Sequence, residues 1–186
     1  VTDNQPEQND RIRALREALR AVRMRYDALE RGKTAQIRRC RTADDIALEG
    51  TYWRIGEALA RAEWHLPHVV LLFPLARHAT RERERFSFGR YLRKHLGDSD
   101  GATLRFRRLL DSSERDDLDH RLRGVLRLAA GDHAPLDWGV LGTDILWFFA
   151  ESDIVRRRWA QDFYAPTSGE ASPRGAPPSA ASTPNV

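Results

Sequence analysis

The sequence predicts an all-α protein: a two-lobed bundle of short helices with a disordered start and a disordered tail. Three observations predict it. Apolar residues recur three and four positions apart from Ile12 to Tyr164, and no alternating run long enough for a useful strand appears. Gly and Ser/Thr/Asp residues punctuate these stripes where helices start and stop. The stretch after Tyr164 is rich in Pro, Ser, Ala and Gly and has almost nothing apolar to bury. The expected organisation is residues 1–9 disordered, 10–97 an N-terminal helical lobe, 98–164 a C-terminal helical lobe, and 165–186 a disordered tail. The lobes are expected to hinge at Gly97-Asp-Ser-Asp-Gly101, the strongest internal break.

The first helix is expected from an N-cap at Asp10 to a stop at Gly32. Ile12, Leu15, Leu19, Val22, Tyr26 and Leu29 form its inner stripe, with Arg13, Arg16, Arg20 and Arg23 outside. A short helix over Lys33–Arg41 follows, then a break at Thr42. Thr42 and Asp45 fit a capping box that opens a helix from Ala43. In that helix Trp53, Ile55, Leu59 and Ala60 are expected inside and Arg54 outside. Pro67 marks the start of an apolar helix through Ala79, kinked at Pro74. RERER (81–85) reads as a solvated connection.

The next helix, within RFSFGRYLRKHL (85–96), sets the design that much of the chain repeats. Ser87 can cap it and Gly97 can end it. Phe88, Tyr91, Leu92 and His95 share one side, and Arg90, Arg93 and Lys94 are neighbours on the other. Beyond the hinge, Leu104, Phe106, Leu109 and Leu110 form an apolar face rimmed by Arg105 and Arg108. Ser113 with Asp116 reads as the cap of a helix cored by Leu118, Leu122, Val125, Leu126 and Ala129 and ended by Gly131. Arg123 and Arg127 lie outside it, with His120 nearby. A helix from Pro135-Leu136-Asp137-Trp138 and a last one capped by Ser152 or Asp153 complete the fold.

Charge points to a class of partner. The formal net charge is +4, yet acids dominate the first ten residues, so residues 11–164 hold +7. The cations are almost all arginine, with only Lys33 and Lys94 besides. Arginine suits phosphate because its planar, weakly hydrated fork carries fixed donors. A single cysteine, Cys40, excludes an internal disulfide, and no signal peptide is visible. The most apolar run, Leu66–Ala76, is short for a membrane span and is interrupted by two prolines. A cytoplasmic protein with no membrane partner is expected.

No reaction assembles from the motifs. There is no P-loop, GxGxxG or GxSxG. His65-x-x-His68 has metal-pair spacing, but Pro67 lies between and no further ligand motif joins it. The acidic pairs Asp44–Asp45 and Asp116–Asp117 sit where helix N-termini favour negative charge. Cys40 has arginine neighbours that could activate it, but reads as a core thiol. No enzyme activity, cofactor or metal is expected.

Six segments carry a resemblance: AQIRRCR (35–41), TYWR (51–54), SFGRYL (87–92), FRRLL (106–110), LDW (136–138) and RWAQDFY (158–164). In this order and spacing the chain resembles the small subunit (CasB family) of the type I-E CRISPR surveillance complex, Cascade. The resemblance spans nearly the whole folded region. It implies a non-catalytic helical subunit of antiviral defence that helps hold the guide RNA–target DNA duplex and the displaced strand of the R-loop. The implied partners are guide RNA, double- and single-stranded target DNA, the backbone subunits, the large subunit and a second copy of the chain. The positions that match for nucleic-acid binding are Arg38, Arg39, Arg54, Arg90, Arg108, Arg121 and Arg123. The helix-face argument extends the set to Arg41, Arg93, Lys94 and Arg107. The alternative is a helical protein-interaction scaffold whose arginines pair with acidic faces.

Overall fold

A computed structural model describes residues 5–60, 65–79, 87–129, 135–149 and 152–165. The expectations for RERER, for Gly131 as a helix stop and for the tail beyond residue 165 lie outside these residues. The fold is all-α. α1 spans Gln5–Asp27, α2 Arg31–Arg39, α3 Ala43–Leu48, α4 Gly50–Ile55, α5 Glu57–Ala60 and α6 Leu66–Leu72. α7 spans Phe88–Leu96, α8 Asp100–Leu110, α9 Arg115–Ala129, α10 Trp138–Trp147 and α11 Ser152–Tyr164. Among the described residues no helix is long and apolar enough to cross a membrane.

Several boundaries differ from those expected, each for a local reason. α1 begins at Gln5 rather than Asp10, because Pro6 in a first turn forfeits no hydrogen bond. Asp10 lies inside α1 and meets Arg13 at 3.3 Å on the open surface. α1 ends at Asp27, and Gly32 falls within α2 instead of stopping a helix. The helix expected from Ala43 is three pieces: Glu49 is extended and Gly56 is non-helical. These breaks reset the helical phase. Tyr52 and Ile55 are buried, while Trp53, expected inside, is 48% exposed and donates its indole N–H to the Ala47 carbonyl at 2.9 Å. Pro74 ends α6 in a 3₁₀ turn over Phe73–Leu75 instead of kinking it. The chain then forms β1 (Arg77–His78), which pairs in parallel with β2 (Pro135–Leu136), a two-residue contact that period reading does not detect. Gly101 lies inside α8, and Leu104 is half exposed rather than in the core.

The short-range signals are present. Thr42 Oγ1 accepts from the Asp45 N–H at 3.1 Å, and Asp45 Oδ2 accepts from the Thr42 N–H at 3.0 Å. Ser87 caps α7, and Gly97 ends it at φ +73°, a backbone state that glycine adopts without a Cβ clash.

The segments on either side of Gly97 share one core. α1 packs along α10, α7 along α11, and α6 against both α9 and α10. Close approach needs glycine at two of these contacts. A Cβ on Gly89 would lie 2.2 Å from the Trp159 carbonyl oxygen, and one on Gly139 would lie 2.6 Å from that of Arg16. Phe88 meets Trp159 edge-on at 4.7 Å, and Phe106 stacks on Phe163 at 4.0 Å.

α10 is buried on nearly every side, and its two buried carboxylates bind it to the flanking helices. Asp137 caps α10 by accepting the N–H groups of Gly139 (2.9 Å) and Val140 (3.4 Å). It also accepts both arms of the α1 guanidinium of Arg20, at 3.0 and 2.7 Å. Burial opposes the Asp137 charge, but Arg20 and the capping N–H groups hold its carboxyl below the usual range. Asp144 accepts the Trp159 indole N–H at 2.6 Å and an Arg158 N–H, both from α11; burial nonetheless pushes its carboxyl upward. Arg23, expected outside, is 4% exposed. It shares the register of Leu19 and Tyr26, donates to Asp27 and to the Phe73 carbonyl (2.6 Å), and lies over the Tyr26, Phe73 and Trp138 rings.

Two predictions follow from this packing. Gly89→Ala forces α7 off α11 and costs about 2 kcal/mol, read as a fall in the thermal midpoint by circular dichroism; an unchanged midpoint contradicts the close contact. Asp137 has a folded-state pKa below its unfolded one, so its stabilisation is full above the unfolded pKa and is lost as pH falls through the folded value. Asp137→Asn therefore lowers stability at neutral pH by about 3 kcal/mol. It also removes part of the wild-type loss in acid, measured by urea unfolding from neutral pH downward.

Candidate nucleic-acid interface

α9 is amphipathic. Leu118, Leu122, Val125, Leu126 and Ala129 face the core, leaving His120, Gly124 and Arg127 on the open side. A groove runs along each flank of this open ridge. One, of about 540 Å³, is lined by Arg41, Thr42 and Leu71 on one wall and by Asp116, Asp119, His120, Arg123, Gly124 and Arg127 of α9 on the other. The second, of about 500 Å³, lies between Arg105 and Arg108 of α8 and Asp117, His120, Arg121, Gly124, Val125 and Leu128 of α9. His120 and Gly124 belong to both, so the two grooves meet across the ridge.

The walls are placed by the arginines themselves. Arg123 donates to the Arg41 carbonyl and ties α9 to the α2–α3 junction. The junction is pinned from below, because Asp45 Oδ2 also accepts the Arg41 N–H at 2.8 Å. Those backbone donors hold the Asp45 carboxyl below the usual range. On the other flank Arg121 meets Asp117 at 2.6 Å and donates to the Arg108 carbonyl, joining α9 to the end of α8. A guanidinium carries five N–H donors, so each strut retains donors for a ligand. In the second groove three arginines face one carboxylate; in the first, three arginines face two.

Of the eleven residues expected from the sequence, Arg41, Arg108, Arg121 and Arg123 come together around α9. The others are distributed elsewhere. Arg39 and Arg54 are exposed on α2 and α4. Arg38 lines a separate groove of about 540 Å³ with Arg23, Tyr26, Arg31 and Arg77. Arg90 and Lys94 lie exposed one turn apart on α7, and Arg93 beside them is paired with Asp98 at 3.1 Å. Arg107 is exposed on α8 and lines neither α9 groove. Arg105, Arg127 and His120 complete the grooves but were not in the expected set. Their signal was the i, i+3 and i, i+4 spacing to Arg108 and Arg123, which the helix-face argument had at hand. Cys40 is a core thiol: burial, then Glu49 and Asp45, push its pKa up. Trp138, Trp159, Tyr52 and Tyr91 are fully buried in the core, so a base-stacking platform is not their use.

The family model of the CRISPR-associated protein Cse2 matches residues 27–164. The chain belongs to that family. The match covers α2 to α11 and both α9 grooves, in line with the small-subunit resemblance of the sequence motifs. Among solved structures, a chain in the crystal structure of E. coli Cascade bound to a PAM-containing dsDNA target has the same fold. Its TM-score is 0.61 at 21% identity, over 78% of this chain and 93% of that one. No curated protein matches.

Proposed function

We propose that this Cse2-family chain is a non-catalytic subunit of a type I-E Cascade complex that steadies the guide RNA–target DNA R-loop through contacts to nucleic-acid backbone. The observation that carries the reading is the pair of arginine-lined grooves meeting across α9. The family match and the likeness to a chain of a DNA-bound Cascade support it. Guide pairing supplies sequence discrimination in such systems, so a helper needs shape and phosphate contacts only. Exchange of one duplex for another is nearly balanced, so a few contacts shift it. Arginines on rigid helices provide such contacts without reading bases. The partners in this reading are guide RNA, double- and single-stranded target DNA, the backbone and large subunits and a second copy of the chain. The setting is the cytoplasm.

A second reading, a protein-interaction scaffold without nucleic-acid contact, is favoured by the pairing of Arg93 with Asp98 and of Arg121 with Asp117. Two measurements separate them. DNA of unrelated sequences should bind with a log–log salt slope of about −0.9 for each duplex phosphate neutralised; a flat salt response supports the scaffold. Arg108→Glu with Arg127→Glu, both exposed, should leave the thermal midpoint unchanged and weaken target binding by the assembled complex. Arg54→Glu with Arg90→Glu tests the positions away from α9. If the α9 pair assembles and the target is held as tightly as before, the grooves are not the contact surface.

A further inference from the structure

The N-terminal ends of α6 and α9 bring His68 to two α9 carboxylates, Asp116 and Asp119, that lie about fifty residues further along the chain. One ligand atom from each of His68, Asp116 and Asp119 lies within 4.8 Å of the other two. His68 Nδ1 is 2.6 Å from Asp119 Oδ2. The Asp119 side chain is 8% exposed and that of His68 14%, whereas Asp116 is open to solvent. A second, independent feature sits at the same point. Asp119 Oδ1 is shut away from solvent and has no hydrogen-bond partner among the described residues. A buried carboxylate oxygen left without a donor is costly, and it needs an explanation in a folded protein. The nearest guanidinium on α9 does not supply one: Arg115 donates to the Ile145 and Leu146 carbonyls at 3.3 Å and lies over the Phe149 ring.

We propose that His68, Asp116 and Asp119 form a binding site for a divalent first-row cation of the zinc class. The donor set is one imidazole nitrogen and two carboxylate oxygens, with room for a water in a fourth position. Two ligands at about 2.0–2.1 Å from zinc and at a tetrahedral angle stand about 3.3 Å apart. His68 and Asp119 therefore part by less than 1 Å while the exposed Asp116 closes in. The cation takes the place of the hydrogen between His68 Nδ1 and Asp119, and the ligand is the neutral imidazole tautomer that carries its proton on Nε2. A polar cavity of about 360 Å³, lined by Thr42, Asp44 and Glu114 as well as His68 and Asp116, adjoins the site and gives the cation an entry path. Its three acids, Asp44, Glu114 and Asp116, outnumber the one guanidinium in its lining, Arg115. Bound there, the cation cross-links α6 to α9 beneath the Arg41–Arg123 groove.

The test uses the full chain after dialysis against chelator, titrated with zinc chloride alone by calorimetry and with cobalt(II) chloride by visible absorption. One ion per chain is expected, with tetrahedral cobalt absorption and a higher thermal midpoint. Magnesium should give none of these effects. Asp116→Asn, on an exposed residue, should fold as the wild type and weaken zinc by about tenfold or more, and His68→Gln should do the same. His120→Gln, outside the donor set, should bind as the wild type. Absence of wild-type binding, or wild-type affinity in Asp116→Asn, overturns the site and leaves Asp119 as the partner of His68 alone.

Discussion

The carboxylate of Asp137 performs two tasks with two oxygens. It closes the first turn of α10 by accepting backbone N–H groups, and it receives the Arg20 fork from α1. Being almost fully buried, it must do both, because a charge removed from water is tolerated only when its lone pairs are satisfied. This constraint fixes the rotation and depth of α10 against α1. Gly139, in the first turn of α10, then lets the two backbones come within contact. Asp144, two turns along the same helix, repeats the device toward α11 through Trp159 and Arg158. α10 is thus a central rod held by a carboxylate on each side, and the rest of the bundle is arranged around it.

From this rod the geometry spreads to the surface. α11 holds α7 through the Gly89 contact, and α6, lying on α10, supports α9. The open face of α9 is then presented between α8 and the α2–α3 junction, and the grooves exist only because these two neighbours are fixed. Arginine serves twice in the arrangement. Arg20, Arg23 and Arg158 are consumed by buried or half-buried carboxylates and carbonyls, whereas Arg41, Arg105, Arg108 and Arg127 line the grooves. Arg121 and Arg123 do both, since a guanidinium can brace a neighbouring helix and still present donors to a ligand. An arginine-rich composition therefore does not translate directly into a binding surface.

How much of this was legible depends on the range of the interaction. The Thr42–Asp45 box, the Ser87 cap, the Gly97 stop and the apolar stripe of α9 are local, and periodicity and turn chemistry reveal them. Arg23 and Trp53 were misplaced because the inner face of an element is set by what packs on it: ring faces around Arg23, and the Glu49 and Gly56 breaks around Trp53. Four of the eleven candidate cations converge around α9, because helix-face reasoning groups residues within one helix and cannot say which helices stand side by side. The His68–Asp119 contact, across 51 residues, is beyond the reach of periodicity and motif spacing for the same reason.

The sequence by itself determined that the chain is helical, where most helices begin, and, through the order of its motifs, the family. These depend on contacts three or four residues apart and on short strings of side chains, which are written in the chain directly. Only the tertiary structure decided that α10 is the centre, that Arg20 meets Asp137 across 117 residues, and that two arginine grooves meet on α9. Those outcomes depend on which buried faces and buried charges satisfy one another, a choice made jointly by distant segments and encoded in none of them alone.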